Sequence, residues 1–488
     1  MSSFIPTQEQ KNIKTAFDKR LNLIIIAGAG AAKTTTLAWL AKNSPKKGRF
    51  MAFNKAIVEA AEAKMPSTVK CSTFHGYFFG ICGRNYKHRS ASVSSRRTAE
   101  ILGIDSDIEL SERSLTPVQQ VRAIYGAIKA FSMSDDKEIS GWHIPYMRGV
   151  STADMNIIRE WLAPYLKVAW EDVADVHGEL RFKPENYIKI GVLSNPRIAA
   201  QFVMIDEAQD TFPVILGWLK RQYHTQLIIA GDPAQAINGW TGAIDAMGKF
   251  GDKFTELTLT QSFRFSPVIA EVANKCLSLL GSFRIKGFDQ VTSVIGPIDV
   301  PHAILCRTNA GVINAAMQSV ESGIKTAMPE RQAEEIKQIA QAATQLMAGT
   351  SCDYPDFSAF RNWDEVKEYV ENDPSGADLK TTVNIIIKYT PEALVRLIDE
   401  LVPAHMAETL VSTVHKTKGL EFETVEISGD FPEPKPNQDG SQGEITRDEA
   451  MLYYVAVSRA KSGLDWSALE WIEDYLPADQ GDEDTEEE

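Results

Sequence analysis

The stretch LNLIIIAGAGAAKTTT, residues 21–36, decides the fold. Its first half is an apolar run, Leu23–Ala27, closed off by Gly28, and it reads as a buried strand. Its second half opens a helix near Lys33. A strand running through a glycine loop into a helix is the P-loop layout. In it the backbone of Gly28, Ala29, Gly30, Ala31 and Ala32 and the positive end of the helix cradle phosphates. Lys33 is placed to reach the β- and γ-phosphates, Thr34 to hold Mg²⁺ through its hydroxyl, and Thr35 to continue the cradle. One position departs from the pattern: Ala32 stands where glycine is usual. A methyl there either crowds the backbone against phosphate or strains the turn if φ is positive.

Working outward, four more short apolar runs read as buried strands: Phe202–Ile205, Gln226–Ala230, Ala303–Cys306 and Thr424–Ile427. Helical stretches separate them, as where Ile336, Ile339, Ala340, Ala343, Leu346 and Met347 share one face. Strands alternating with helices predict an α/β fold with parallel sheets. The second run ends in Asp206 and Glu207. Phosphoryl transfer to water needs such a pair, one carboxylate on Mg²⁺ and one to activate the water. Residues 85–190 and 328–404 interrupt the alternation and read as inserted helical subdomains. The first begins with the basic cluster Arg84, Lys87, His88, Arg89, Arg96 and Arg97.

Hydrophobic residues make up 44% of the 488 and charged residues 24%, which fits a globular chain and excludes collagen-like or wholly disordered classes. The run Leu23–Ala32 is far short of the roughly 20 apolar residues a bilayer needs, so no membrane partner is expected. Five cysteines without a CxxC pair argue against a disulfide framework or zinc site and for a reducing, cytoplasmic setting. The net charge is −14, and the last eleven residues, ADQGDEDTEEE, hold seven of the acids. That segment, 478–488, reads as a disordered acidic tail able to contact a protein partner. The remaining imbalance is mild, so nucleic-acid binding would have to come from a local surface.

At LIIAGDPAQAINGWTGA (227–243), following FVMIDEAQD, the sequence resembles the superfamily 1A DNA helicases of the UvrD/Rep/PcrA type. Further family motifs follow in order from Gln10 to Lys461. IPTQEQ resembles the glutamine motif that reads adenine, through Gln10. FNKAIVEAA and CSTFHG resemble the segments that grip single-stranded DNA, and point to Phe53, Asn54, Thr73 and His75. In LTLTQSFRFS, Phe263 matches the aromatic under adenine and Arg264 the arginine for the γ-phosphate. VSTVHKTKGLEFE contributes Thr413 and His415 toward DNA and Glu421 toward the ribose. Arg459 in YYVAVSRAK matches the arginine finger, Gln235 the γ-phosphate sensor, and Trp240 the aromatic on which a base stacks. Departures are Ala32, and Asn238 and Thr241 beside GWTGA, where tyrosine and arginine are common in the family. The second insertion is also short for the family.

The resemblance implies two RecA-like domains with ATP and Mg²⁺ between them and single-stranded DNA across both. Domain 1A would be 1–84 and 191–262, with 1B at 85–190. Domain 2A would be 263–327 and 405–477, with a small 2B at 328–404. The implied function is an ATP-dependent helicase or translocase moving 3′ to 5′ on single-stranded DNA, working at single-strand/duplex junctions in repair or replication. Two other readings are a translocase that strips proteins or serves a partner nuclease without efficient unwinding, and a nucleotide-binding switch with weak ATPase.

Overall fold

The computed structural model describes residues 4–89, 92–111, 114–147, 150–237, 247–251, 253–352, 354, 356–357, 360–372 and 377–476. The chain forms two compact units, Met1–Ala27 with Ala32–Leu259, and Gly28–Ala31 with Thr260–Glu488.

The first unit begins with α1 (Gln8–Asp18), β1 (Leu23–Ala27), α2 (Lys33–Lys42), β2 (Gly48–Ala52), α3 (Lys55–Glu62), β3 (Val69–Thr73) and α4 (Phe74–Ile81). An insertion follows, made of α5 (Ser95–Leu102), the short hairpin β4 (Ile108–Glu109) and β5 (Ser114–Leu115), α6 (Pro117–Met133), α7 (Thr152–Ala174) and α8 (Pro184–Leu193). The chain then returns through β6 (Phe202–Ile205), α9 (Pro213–Lys220), β7 (Gln226–Gly231) and β8 (Thr255–Leu259). The insertion has its own core, with Ile124, Ile128 and Phe131 of α6 against Ile158, Leu162 and Leu166 of α7.

The six long strands form one parallel sheet in the order β3-β2-β6-β7-β1-β8. Every residue of β6 and β7 is buried, as expected of central strands covered on both faces. Edge strands are more polar: Lys70 in β3 and Glu256 in β8 are exposed. Because β6, β7 and β1 are neighbours running the same way, their C-terminal ends at Ile205, Gly231 and Ala27 lie side by side. In open parallel sheets that edge is where ligands bind.

The second unit holds α10 (Pro267–Leu279), β9 (Val294–Ile295), β10 (Ala303–Cys306), α11 (Asn309–Glu321) and β11 (Thr326–Ala327). Helices α12 (Glu330–Met347), α13 (Trp363–Asn372), α14 (Ala377–Tyr389) and α15 (Pro391–Glu400) come next, then β12 (Thr409–Thr413), β13 (Phe422–Ile427), α16 (Arg447–Val457) and β14 (Ala460–Asp465). Its parallel sheet has the order β11-β12-β10-β13-β14-β9. The expected apolar face of α12 is buried at Ile336, Ala340, Ala343 and Leu346, while Met347 at its end is 47% exposed. The fold is α/β with two parallel sheets of the RecA-like kind. Among the described residues no helix is long and apolar enough to cross a membrane. The acidic tail lies outside them.

Candidate nucleotide and nucleic-acid site

The loop after β1 is closed by a hydrogen bond from the Ala31 N–H to the Gly28 carbonyl, 3.1 Å. Ala32 caps α2 with φ 56° and ψ 37°, in the left-handed region. A side chain there costs about 1–2 kcal/mol. Of the two consequences foreseen for Ala32, backbone strain is therefore the one the fold displays.

Lys33 and Thr34 open α2 and face the acids that end β6. Lys33 Nζ lies 3.1 Å from Glu207 Oε1, and the Thr34 hydroxyl donates to Asp206 Oδ2 at 2.6 Å. Asp206 is wholly buried. Burial, reinforced by the charge of Glu207, pushes its carboxyl up to about 6, against the pull of Lys33 and the Thr34 hydrogen bond. Burial opposes the charge on Lys33, but Glu207, Asp232 and Asp206 outweigh it and hold the ammonium above its ordinary value. Glu207 itself has φ 54° and ψ 45°, a second strained position whose cost of about 1–3 kcal/mol is typical of functional sites. A hard divalent cation favours oxygen donors. The Thr34 hydroxyl and the crowded, buried Asp206 carboxylate fit Mg²⁺, whose charge would relieve that crowding. The turn after β7 adds Gln235, whose Nε2 donates to Asp232 Oδ2 at 2.6 Å.

Gln10 is also buried, with both ends of its amide engaged. Oε1 accepts the Thr7 N–H at 2.9 Å and Nε2 donates to Thr36 Oγ1 at 2.9 Å. The residue expected to read adenine thus braces α1 against α2.

In the second unit Arg264, Glu421 and Arg459 cluster at the N-terminal end of the sheet, where β13 and β14 begin. Arg264 donates to Glu421 Oε1 and to the Ser458 carbonyl, both at 2.6 Å. Its Nε is buried with no protein acceptor, the kind of donor a phosphoryl oxygen satisfies. Arg459 is 2% exposed, its guanidinium donating to the carbonyls of Val455 and Leu420 at 3.1 and 3.2 Å. Phe263 is 37% exposed, with its ring edge-on to Phe288 at 5.3 Å.

The expected DNA residues sit at the opposite, C-terminal ends of strands. Phe53, after β2, packs between Phe74 and Phe212. Asn54 caps α3 and Thr73 caps α4, accepting the Ala56 and Gly76 N–H groups at 2.8 and 2.9 Å. Two helix N-termini thus stand beside each other at the sheet edge, suited to anions. His75, the second residue of α4, is held below its ordinary pKa chiefly by burial. Thr413, the last residue of β12, is buried, and burial with the Arg307 charge lowers the pKa of His415, two residues on. Trp240, Asn238 and Thr241 lie outside the described residues. Of the basic cluster, Arg89 is structural: it donates to the Asp172 and Leu180 carbonyls at 3.1 and 2.9 Å.

Sequence reasoning passed over Gln209, the third polar residue of DEAQD. It is buried, donates to Glu207 Oε2 at 2.5 Å and accepts the Asp232 N–H at 3.1 Å. Its place two residues after Glu207 was the available signal.

The profile of the UvrD/REP helicase N-terminal domain matches residues 7–255, and that of the UvrD-like helicase C-terminal domain matches 360–470. F-box DNA helicase protein 1 of Schizosaccharomyces pombe is 27% identical over 94% of this chain and 57% of its own length. F-box DNA helicase 1 of Gallus gallus is 27% identical over 94% of this chain and 48% of its own. DNA helicase II of Haemophilus influenzae is 27% identical over 53% of this chain and 38% of its own. The chain thus spans about half the length of the curated relatives it matches across nearly its whole extent. A phosphate loop and an acid pair meeting at one edge of a parallel sheet, with a family profile covering half the chain, lead to one conclusion: this chain belongs to the UvrD/REP helicase family.

Proposed function

We propose that this chain is the motor of an ATP-dependent DNA helicase, moving 3′ to 5′ on single-stranded DNA and parting strands at single-strand/duplex junctions. The observation that carries the reading is the meeting of Lys33, Thr34, Asp206 and Glu207 at the C-terminal edge of one parallel sheet, after β1 and β6, which β7 separates. Mg²⁺ bound through Thr34 and Asp206 supplies charge neutralisation to the phosphates of ATP. Lys33 adds a second positive charge at the β/γ-phosphates, and Glu207 accepts the proton of the attacking water. Gln235, Arg264 and Arg459 are assigned to the γ-phosphate, Phe263 to adenine and Glu421 to ribose. Phe53, Asn54, Thr73, His75, Trp240, Thr413 and His415 are assigned to DNA. The division into 1A, 1B, 2A and 2B at the boundaries given above belongs to the same proposal.

The test is strand displacement on partial duplexes bearing a 3′ or a 5′ single-stranded tail. The 3′-tailed substrate should be unwound with ATP and Mg²⁺, and Trp240→Ala should weaken tail binding by about 1–3 kcal/mol with little sequence preference. Unwinding of the 5′-tailed substrate alone would refute the direction. DNA-stimulated hydrolysis without displacement would favour the non-unwinding translocase.

A further inference from the structure

We propose that Gln209 is a positioning residue for Glu207, and that it ties the carboxylate to the turn carrying Gln235. This inference rests on the general-base reading of Glu207 given above. Glu207 has two side-chain partners of opposite kinds: Lys33 Nζ on Oε1 at 3.1 Å and Gln209 Nε2 on Oε2 at 2.5 Å. A lysine drawn toward phosphate loosens its hold on Glu207, whereas the amide contact does not depend on the lysine. Gln209 is itself fixed from the far side, because its Oε1 accepts the Asp232 N–H at 3.1 Å. Asp232 in turn accepts from Gln235 Nε2 and the Ala234 N–H, at 2.6 and 3.1 Å. The amide therefore spans from the end of β6 to the turn after β7, with one orientation that satisfies both neighbours.

The room for it is specific. A methyl group on Gly231, the last residue of β7, would lie 2.5 Å from Gln209 Oε1. Glu207 also holds a left-handed backbone, which only a well-determined surrounding keeps in place. An amide suits the task chemically. It donates to a carboxylate without adding a charge to it, and it leaves Oε1 to the Lys33 side of the site. A misplacement of about 1 Å at such a group can cost as much as 100-fold in rate.

The experiment compares Gln209→Met and Gln209→Glu with the unaltered chain, using DNA-stimulated ATP hydrolysis, ATP binding and thermal melting. Gln209→Met keeps the shape and removes both hydrogen bonds. It should lower kcat about 10- to 100-fold, with ATP affinity changed less than about threefold. Gln209→Glu keeps the length of the side chain but replaces the N–H donor to Glu207 with an oxygen that can only accept when ionised. Its kcat should fall at least as far as that of Gln209→Met, again with ATP affinity changed less than about threefold. A purely packing role would leave kcat near that of the unaltered chain in both variants well below their melting temperatures. Wild-type kcat in either variant, or a loss of ATP affinity as large as the loss of kcat, overturns the proposal. If Gln209→Met melts early, the split between kcat and ATP affinity in Gln209→Glu decides. Glu207→Gln, run alongside, separates the two levels. A dead Glu207→Gln with a normal Gln209→Met sinks only the positioning role, whereas an active Glu207→Gln sinks the general-base reading itself.

Discussion

Asp206 shows how burial sets chemistry at a single position. Its carboxyl sits at about 6 because burial and Glu207 disfavour its charge, so below that pH a proton competes with Mg²⁺ for the same oxygen. The folded pKa is raised, so this group's contribution to stability is present at low pH and is lost as pH rises from near 4 through about 6. Mg²⁺ binding runs the other way and strengthens over that range. The affinity for Mg²⁺·ADP, corrected for protonation of the nucleotide, should be about tenfold weaker at pH 5 than at pH 7.5. Asp206→Asn should bind weakly at both. A flat profile in the unaltered chain would show that Asp206 is not the titrating ligand. Ala32, Lys33, Thr34, Asp206 and Glu207 were all legible in the sequence because their motif spacing is rigid. Gln209 was not, because its importance lies in a contact with the Asp232 backbone 23 residues away.

At the scale of elements, α1 and α2 are joined through the Gln10 amide, which closes a capping box on Thr7 and reaches Thr36. Gln10→Ala removes both contacts and leaves Thr36 with one fewer partner. It should destabilise the fold by about 1–3 kcal/mol in denaturant unfolding. The ratio of ATP to GTP affinity should fall as well, since the resemblance assigns Gln10 to adenine. An unchanged ratio would leave Gln10 the structural role alone. Strand legibility divides along the same physical line. Leu23–Ala27, Phe202–Ile205 and Ala303–Cys306 were readable because strands buried on both faces are continuously apolar. The strands Val69–Thr73, Thr255–Leu259 and Ala460–Asp465 were not read as such, because partial exposure mixes lysine, glutamate and threonine into them.

At the scale of the molecule, each unit has one parallel sheet whose strand ends carry the candidate residues. In the first, the residues proposed for phosphate and those proposed for DNA share the C-terminal edge. In the second, Arg264, Glu421 and Arg459 occupy the N-terminal edge, whereas Thr413 and His415 lie at the C-terminal one. Composition hid any DNA affinity: half of the net charge of −14 sits in the last eleven residues, so bulk charge says little about a local surface. The most direct test of a DNA-driven ATPase is steady-state hydrolysis with Mg²⁺, with and without a single-stranded oligonucleotide, for the unaltered chain and Glu207→Gln. A motor gives hydrolysis that rises strongly with the oligonucleotide, and a variant that still binds ATP but has lost about 10²-fold or more of that rate. Hydrolysis indifferent to DNA, or undiminished in Glu207→Gln, would contradict it.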